Sequence, residues 1–574
     1  MPRANDAVEA MLIEYADLQS ILFDDPYKPR AYEKAARAVG GYPVDLEGKD
    51  LAEIVKIPSV GKSIGVKIQE FLETGTLAEL EALREKIPAG VRELTRIPGL
   101  GPKKAMVLYQ ELGVGSVEEL EAAIEDDRVA ALPRFGAKTQ ENIAKGLSQL
   151  RSAGDRVKID TALDVAEGFI AHLSALRQAT RVVYAGSLRR MKESIGDVDL
   201  LVAGTDAGPV MGAFVEHPSV ARVLAHGDTK SSVVTNVGLQ VDLRVVPPEA
   251  WGAAMIYFTG SKAHNIRIRE MAVRQKLKLS EYGLFDAKSG DLLAADTEEA
   301  VYERLGMVSV PPALREDRGE VEAALAGELP ALVTERQLKG DLHTHTDLTD
   351  GLASLEAMAA RGAELGYAYF AITDHAPNLY MQRMTQDKIL AQRERVERLR
   401  ATYPKMTLLH GTELNIDPDG DVDWDATFLA GFDLTVASVH SHFTQSRGEM
   451  TARVIRAIEN PYVDIIGHLT TRQIGKRPPV DLDLEAVFEA AGRTGTAMEI
   501  NSHPDRLDLS DEHVLWARRH GVRFAVNTDA HAVPHLDHRR FGIGMAQRGW
   551  LTKDDVINAW PLSKLRKFLA AHRP

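Results

Sequence analysis

YAGSLRRMKESIGDVDLLV, residues 184–202, is the segment around which the rest of the chain is organised. It contains an apolar strand, a Gly-Ser turn with a basic pair, and a second apolar run that begins at Asp197 and Asp199. Successive side chains of a strand point to opposite faces, so these two carboxylates are predicted to share a face. Carboxylates held side by side repel each other, and protonation or a bound cation relieves the repulsion.

A third carboxylate, Asp242, lies inside another apolar strand, GLQVDLRVV. Magnesium prefers carboxylate oxygens together with substrate phosphates. Three carboxylates beside the Gly-Ser turn and the adjacent arginines could therefore hold two metal ions about 4 Å apart around a nucleoside triphosphate. The alternative is an acidic hairpin edge with unrelated surface charge. The length and order of the pattern G-S-x-R-R…G-D-x-D favour the metal site.

This pattern resembles the nucleotidyltransferase motif of the family X DNA polymerases, the relatives of polymerase beta. The segment Tyr257-Phe258-Thr259-Gly260-Ser261, followed by Asn265 and Arg269, resembles the entrance of that family's nucleotide-binding helix. The whole chain resembles a bacterial family X polymerase with a C-terminal PHP (polymerase and histidinol phosphatase) domain. The resemblance covers essentially all 574 residues.

The resemblance implies a DNA polymerase that fills short gaps in DNA repair by in-line attack on the α-phosphorus. It assigns Mg²⁺ or Mn²⁺ to Asp197, Asp199 and Asp242, and Asp242 also helps to deprotonate the primer 3′-hydroxyl. Arg269 is assigned to the template strand. The residues that the resemblance assigns to the nucleotide are Gly186, Ser187, Arg190, Tyr257, Phe258, Gly260 and Asn265. By spacing alone, the two aromatic residues could equally belong to an ordinary core. Gln240 departs from the pattern, because polymerase beta has arginine there.

The composition is that of an ordinary globular protein, with 44% hydrophobic and 26% charged residues. The length predicts several domains. The absence of cysteine excludes disulfides and thiolate metal sites. We expect a soluble cytoplasmic protein without a membrane partner, because the sequence has no long apolar run and no signal-like N-terminus. The net charge of −14 does not exclude DNA, since DNA contacts need only a basic stripe.

Three short repeats near the N-terminus each place a glycine turn before a helix: IPSVGKS (57–63), IPGLGPK (97–103) and LPRFGAK (132–138). They resemble helix–hairpin–helix modules. Such a turn exposes backbone N–H groups to a DNA phosphate, which positions a duplex without reading its sequence. The alternative is a plain helical hairpin. The predicted contacts to gapped or nicked DNA are Gly61, Lys62, Gly99, Gly101 and Lys103.

Two lysines of the first repeat region match residues of lyase-competent relatives. Lys67 matches a Schiff-base lysine and Lys28 matches a lysine that binds a 5′-phosphate. A nucleophilic lysine needs a depressed pKa, which neighbouring cations can supply. Ser63 stands where one family member has another lysine, so the basic cluster is thinner. A 5′-deoxyribose-phosphate lyase and a plain solvated lysine both stay open.

Beyond residue 340 the histidines follow a recurring pattern in which an apolar run precedes each polar signature, as in DLHTH (341–345), ITDH (372–375) and NTDAH (527–531). This rhythm predicts a β/α barrel with its ligands at the C-terminal strand ends. By resemblance to the PHP family, nine residues form the site: His343, His345, Asp350, His375, Glu413, His440, His468, Asp529 and His531. Imidazole and carboxylate ligands suit Zn²⁺ or Mn²⁺, with up to three ions. His442, His503 and Arg506 are further candidates for phosphate contacts.

The predicted fold class is multidomain α and α/β. The expected order is a helical domain with a helix–hairpin–helix (1–80), a helical domain with further repeats (81–152), a polymerase beta-like palm (153–250), a nucleotide-binding subdomain (251–315), a linker (316–339) and a distorted β/α barrel (340–574). The PHP resemblance implies a 3′→5′ exonuclease and an abasic-site endonuclease. Alternatives are a PHP nuclease or phosphatase whose polymerase-like part only binds DNA, and a non-enzymatic DNA-binding scaffold. We expect a monomer that uses gapped DNA and deoxynucleoside triphosphates.

Overall fold

The structure is a computed structural model that describes residues 4–22, 27–40, 42, 46–57, 59–87, 89–95, 97, 100–133, 135–153, 156–379, 382, 384–571 and 573. Its order of helical, mixed and parallel α/β parts confirms the predicted fold class. The exact limits of each domain stay a prediction. Among the described helices, none combines the length and the apolar character that crossing a bilayer requires.

The N-terminal part is built from helices whose apolar stripes meet in one core. The helices are α1 (Ala4–Leu22), α2 (Tyr27–Gly40), α3 (Leu51–Ile54), α4 (Lys62–Thr74), α5 (Ala78–Lys86), α6 (Ala89–Leu94), α7 (Pro102–Leu112), α8 (Val117–Glu125) and α9 (Gly136–Ala153). The predicted repeats fall where expected, since α4, α7 and α9 each begin at or directly after the glycine of a repeat.

The central part contains a five-stranded mixed sheet in the order β2-β4-β7-β6-β5. Its elements are β1 (Val157–Lys158), α10 (Ile159–Ser174), β2 (Arg181–Tyr184), α11 (Gly186–Arg189), β3 (Ser194–Ile195), β4 (Asp197–Ala203), α12 (Gly208–Val215), β5 (Val220–His226), β6 (Lys230–Thr235) and β7 (Gln240–Val246). The Gly-Ser segment, predicted as a turn, forms the one-turn helix α11. The apolar side chains of β4 and β7 are buried and fix this sheet against α10 and α12.

The next subdomain packs four helices around a small antiparallel sheet. Its elements are α13 (Trp251–Thr259), α14 (Lys262–Arg274), β8 (Leu277–Ser280), β9 (Gly283–Asp286), β10 (Leu292–Ala294), α15 (Glu298–Arg304) and α16 (Glu320–Ala326). Part of the segment predicted as a linker, residues 316–339, therefore forms α16. Val321 and Ala324 of this helix are buried in the core of the subdomain.

The C-terminal part is a seven-stranded parallel sheet in sequential order that curls into a nearly closed barrel. A parallel bridge between Thr344 and Ala530 joins the two ends, and the N–H of His345 donates to the carbonyl of Ala530 at 2.9 Å. The strands are β11 (Gly340–Asp341), β12 (Tyr369–Ile372), β13 (Thr407–Asn415), β14 (Leu434–Ser438), β15 (Ile465–Ile466), β16 (Ala497–Asn501) and β17 (Phe524–Asn527).

Helices cover the outside of this barrel. They are α17 (Leu355–Glu364), α18 (Gln386–Arg400), α19 (Ala426–Leu429), α20 (Arg447–Ile458), α21 (Leu484–Thr494), α22 (Asp511–Arg519), α23 (Arg539–Arg548) and α24 (Leu562–Ala570). Both faces of the parallel strands are covered, which explains why nearly all of their residues are buried, without an alternation of buried and exposed positions.

A buried polar network ties α14, α15 and α16 together. The imidazole of His264 contacts the carboxylate of Glu320 at 2.7 Å and the hydroxyl of Tyr302 at 2.9 Å, and all three side chains are buried. Glu320 also accepts two backbone N–H groups at the start of α16, from Asp317 (2.8 Å) and Arg318 (2.7 Å). The carboxylate of Glu320 therefore links the side chain of His264 to the backbone at the start of α16.

We predict that Glu320→Ala destabilises this subdomain by about 2–3 kcal/mol, because it leaves several buried donors without their charged acceptor. Hydrogen exchange of the α14 and α16 amides should accelerate accordingly. The matched control is Glu322→Ala on the same helix, which removes only an ion pair to Arg267 on an exposed face. Equal exchange in the two variants would contradict the prediction.

Candidate active sites

The three predicted aspartates of the palm converge in the structure. Oxygen atoms of Asp197, Asp199 and Asp242 lie within 4.8 Å of one another. The parallel register of β4 and β7 places Asp199 directly beside Asp242, and Asp197 lies two residues earlier on the same face. The strand pattern alone therefore brings the three carboxylates together.

The electrostatics of this group reflect its crowding. Burial, followed by the charges of Asp197 and Asp242, raises the pKa of Asp199 to about 7, although Arg190 and Lys230 act in the opposite direction. The side-chain amide of Gln240 donates to Asp242 at 2.9 Å. Gln240 is the position that departs from the polymerase beta pattern, and here it orients the third carboxylate.

Gly186 makes the close approach to this group possible. Its φ is +59°, and a Cβ atom at this position would lie 2.2 Å from an oxygen of Asp199. No side chain fits there, so only glycine lets the chain turn over the carboxylates. Ser187 follows in the same helical turn, half-buried. The arrangement leaves backbone N–H groups of α11 close to the acidic group.

The basic pair that follows is engaged in ion pairs. Arg189 donates to both oxygens of Glu298, at 2.9 and 2.6 Å. The Nε of Arg190 donates to Glu316 at 3.0 Å, and its Nη1 donates to the carbonyl of Thr259. Sequence reasoning missed both glutamates, since neither belongs to a local motif.

The residues predicted to face the nucleotide lie at the end of α13 and the start of α14. Tyr257 is 39% exposed, so it is not a core residue, whereas Phe258 packs partly against the core. The amide of Asn265 donates to the carbonyl of Tyr257 at 2.7 Å, and its buried Oδ1 has no hydrogen-bond partner within the described part of the chain. A Cβ on Gly260 would meet Arg190 at 3.2 Å, which brings this segment against the basic pair. Arg269, one turn after Asn265 on α14, is exposed.

The nine predicted histidine and carboxylate residues of the barrel also converge at the C-terminal ends of its strands. Their donor atoms form three overlapping groups, each within 4.8 Å. These groups are His345, Asp350, His375 and His531; His343, His345 and Asp529; and His375, Glu413 and His440. His468 joins the last group through Glu413, at 3.1 Å.

Glu413 is the centre of the barrel site. It is buried, and imidazole nitrogens approach its oxygens from several strands: those of His375 (2.9 Å), His440 (3.1 Å), His468 (3.1 Å) and His343 (3.4 Å). Burial opposes ionisation, but the neighbouring imidazoles hold the pKa of Glu413 well below its ordinary value. An ionised carboxylate among imidazoles is a suitable bridging ligand.

Some buried polar atoms of this group have no partner with hydrogen-bond geometry among the described residues. They include Nδ1 of His345 and Oδ1 of Asp350. Buried polar atoms are nearly always paired, so orphans that face one another point to a missing ligand. Divalent cations fit this donor set, because both the imidazole nitrogens and the carboxylate oxygens are available.

The predicted ligand set does not include Glu499, which lies near the C-terminal end of β16. Its carboxylate accepts from Nδ1 of His343 at 2.7 Å and from the backbone N–H of His468 at 2.8 Å. Asn415 similarly accepts from His440 at 2.8 Å. Such partners fix the orientation of a ligating imidazole. The signal was Glu499-Ile500-Asn501 at the end of β16, in the same position as the ligand-bearing segments.

The three further candidates for phosphate contacts lie in different surroundings. Nε of Arg506 lies 3.7 Å from a carboxylate oxygen of Asp529, beside the histidine–carboxylate group of the barrel. His503 is partly buried, and burial lowers its pKa to about 4, so its imidazole is neutral at pH 7. His442 is exposed and contacts Ser441. Of the three, Arg506 is the cation nearest to the site.

In the helical part, the exposed lysines of the first two repeats fit a phosphate contact. Lys67 is instead paired with a carboxylate. Lys62 and Lys103 are exposed in the first turns of α4 and α7. Both helices begin after a glycine with almost the same backbone angles, Gly61 (φ −76°, ψ 167°) and Gly101 (φ −71°, ψ 168°), and neither has a side-chain cap. Gly99 lies outside the described residues.

The candidate lyase lysine is held in an ion pair. Lys67 is 11% exposed, its Nζ lies 2.6 Å from Glu79, and Tyr15 donates to the same carboxylate at 2.5 Å. The exposed Lys28 is close enough that its charge helps to lower the pKa of Glu79. Lys28 and Lys67 therefore both lie near the carboxylate of Glu79.

Family models match the N-terminal helical part, the subdomain that follows the palm and most of the barrel. The family model of the DNA polymerase beta thumb matches residues 254–316, and the PHP domain model matches residues 341–503. Two helix–hairpin–helix models match the N-terminal part, a helix-hairpin-helix domain at residues 3–77 and a SAM-like tandem at residues 91–149.

Individual proteins show how these parts are combined elsewhere. A DNA polymerase/3′-5′ exonuclease PolX of Bacillus subtilis (strain 168) is 36% identical over 549 residues, which cover 95% of this chain and 96% of that protein. DNA polymerase lambda of Rattus norvegicus is 26% identical over 51% of this chain and 53% of its own length. A probable phosphatase of Thermoanaerobacter sp. (strain X514) is 29% identical over 40% of this chain and 93% of its own length. The chain belongs to the family X DNA polymerases that carry a C-terminal PHP domain.

Proposed function

We propose that this protein is a two-headed DNA repair enzyme, a family X DNA polymerase that fills short gaps and a PHP 3′→5′ exonuclease that also incises abasic sites. One observation carries the proposal. The chain contains both a three-carboxylate group beside a glycine turn and a separate histidine–carboxylate barrel site, and it aligns along almost its whole length with a polymerase/exonuclease.

In the polymerase reaction, the primer 3′-oxygen attacks the α-phosphorus in line and pyrophosphate leaves. Gly186 and Ser187 lie where a triphosphate would approach the turn, and Arg190 supplies positive charge for a phosphate oxygen. Asp242, held by Gln240, is placed to accept the proton of the 3′-hydroxyl. Tyr257 would obstruct a ribose 2′-hydroxyl, Phe258 would lie beside the incoming sugar and Asn265 would contact the base edge.

In the barrel, the reaction is the attack of water on a phosphodiester, with the 3′-terminal nucleotide as product. The imidazoles and the ionised carboxylates bring their donor atoms together, and Glu499 orients His343. Arg506 is placed to bind the phosphate beside Asp529. The chemistry that divalent cations supply at both sites when bound is Lewis acidity toward phosphate oxygens and activation of water.

We assign Mg²⁺ or Mn²⁺ to Asp197, Asp199 and Asp242, because a set of carboxylates without imidazole suits hard cations. We assign Zn²⁺, Mn²⁺ or both, up to three ions, to the barrel, because its donors are mainly imidazoles. The three overlapping donor groups of the barrel support this number.

The remaining assignments concern partners and place of action. The helix–hairpin–helix turns at Gly61, Gly101 and Gly99, with Lys62 and Lys103, would bind the phosphates of gapped or nicked DNA, and Arg269 would contact the template strand. Each catalytic group is completed within one chain, which supports a monomer. We place the protein in the cytoplasm, where bacterial DNA and deoxynucleotides are found. The ion pair of Lys67 with Glu79 makes lyase chemistry the least supported activity.

A second candidate function is a phosphatase in the barrel, with a polymerase-like part that only binds DNA. The similarity of 40% of this chain to a probable phosphatase favours it. The complete carboxylate group in the palm favours the first function, since a DNA-binding scaffold does not need clustered carboxylates that repel DNA phosphates.

Separate substitutions distinguish the two functions. We expect Asp199→Asn to reduce gap filling by about 10³-fold or more, because the electrostatic stabilisation of the transition state is lost, and to leave 3′ digestion unchanged. His345→Ala should show the reverse pattern. Both are measured on one 5′-labelled gapped substrate, with the exposed Asp206→Asn as the control. A wild-type chain that acts on phosphate esters but does not extend the gap would support the phosphatase function, and extension that survives Asp199→Asn would contradict the role given to the carboxylate group.

The dependence of gap filling on Mg²⁺ should change with pH. The pKa of Asp199 is about 7 in the metal-free site, and only the ionised carboxylate binds a cation. The Mg²⁺ concentration that gives half-maximal extension should therefore rise as pH falls below about 7, by up to about tenfold per pH unit. It should be nearly constant above pH 8. Half-saturation that does not move between pH 6 and pH 8 would contradict the prediction.

A further inference from the structure

Helix α23 of the barrel lies directly against the palm loop that carries Arg190. A Cβ atom on Gly544 of this helix would lie 2.8–2.9 Å from side-chain atoms of Met191, so the Met191 side chain packs directly against the helix where glycine leaves room for it. Met191 itself has a φ of +57°, in the left-handed region that residues with a side chain rarely adopt. The contact places the end of α23 beside the polymerase site.

Arg548, the last residue of α23, connects this helix to the palm. Its side chain is only 1% exposed. Nη1 donates to the backbone carbonyl of Arg190 at 2.8 Å and to Glu316 at 2.9 Å, and Nη2 donates to Asp511 at 2.7 Å. Asp511 belongs to α22 of the barrel, so the guanidinium is fixed from its own side as well. A buried arginine with three such partners has one allowed position.

Glu316 connects the fixed guanidinium of Arg548 to the side chain of Arg190. The same oxygen, Oε1, accepts from Arg548 and from Nε of Arg190, at 2.9 and 3.0 Å. Glu316 is 12% exposed, and although burial disfavours its charge, the cations of Arg548, Arg190 and Lys192 hold its pKa below the ordinary value. The carboxylate is therefore ionised between two guanidinium groups.

Arg190 is thus held at both its backbone and its side chain. Its Nη1 reaches the carbonyl of Thr259, beside Gly260, and its charge acts on Asp199. These contacts lie between the two halves of the nucleotide site, the palm and the start of α14. An arginine that is already ordered loses less entropy when it binds a phosphate.

We propose that Arg548 of the barrel is a positioning residue of the polymerase, which orders Arg190 for the nucleotide triphosphate through Glu316. The barrel is then a structural part of the polymerase site besides having its own chemistry. The inference rests on the proposed polymerase function and adds to it a contribution from the other head of the enzyme.

The test is single-nucleotide gap filling by the full chain at varied deoxynucleotide concentration. Arg548→Ala should raise the KM for the nucleotide about tenfold, the factor that corresponds to about 1.4 kcal/mol, with a smaller change in kcat. Arg548→Lys should recover part of the loss, since lysine keeps the charge but lacks the fork that serves two partners. The 3′ digestion should stay at the wild-type level, because Arg548 lies outside the nine barrel residues.

Two further variants keep the inference falsifiable. Glu316→Gln, which leaves the barrel sequence intact, should raise the KM by a similar factor, and its effect should not add to that of Arg548→Ala. The matched control is Arg540→Ala, which removes another contact from α23 to the palm, to Glu167 at 3.4 Å, and should leave the KM unchanged.

The possible outcomes separate this inference from the proposed function. A wild-type chain that cannot extend gapped DNA contradicts the polymerase function, and the inference falls with it. Normal extension with an unchanged or lower nucleotide KM in Glu316→Gln contradicts the inference alone, because Glu316 would then be idle or would restrain Arg190. An equal effect of Arg540→Ala and Arg548→Ala on the KM would also overturn it, because a general weakening of the contact between barrel and palm would explain both effects.

Discussion

Repulsion between carboxylates that are held together in partly buried places is the constraint on which both catalytic sites depend. In the palm, burial and two neighbouring aspartates make the third, Asp199, reluctant to ionise. In the barrel, imidazoles around Glu413 relieve the same problem. The palm group therefore costs stability without cations and becomes favourable when cations bind, whereas the neighbouring imidazoles already stabilise the ionised carboxylates of the barrel. The fold tolerates this cost because rigid strands, β4, β7 and the barrel strands, carry the ligands.

The two catalytic sites differ in how exposed their carboxylates are and in how many imidazoles surround them. This difference matches the chemistry proposed for each site. The palm site is open, with Asp197 exposed, so a triphosphate can bring its own charge and its own cation. The barrel site is deeply buried and mostly imidazole, which suits ions that stay bound. The heads are nevertheless connected, since a common apolar core and the ion pairs around Glu316 and Glu193 join palm and barrel.

The sequence predicts what short-range rules control. Strand alternation placed Asp197 and Asp199 on one face, glycine at 186 implied a close turn, and strand-end signatures located the barrel ligands. Contacts between distant segments have no such signal. Glu316 meets Arg548 across 232 residues, and neither lies in a periodic pattern that indicates a partner. Glu499 resembled a ligand-bearing segment, but only the structure shows that it supports His343. The family resemblance supplied the roles that geometry alone leaves open, such as those of Tyr257 and Asn265.

The central claim is that both acidic groups exist to hold divalent cations. Anomalous diffraction from crystals of the full chain equilibrated with Mn²⁺ tests it most directly, because it locates the ions without relying on activity. The account predicts anomalous density among Asp197, Asp199 and Asp242 and at up to three positions around Glu413. A well-ordered structure with no density in either group at saturating Mn²⁺ would contradict it.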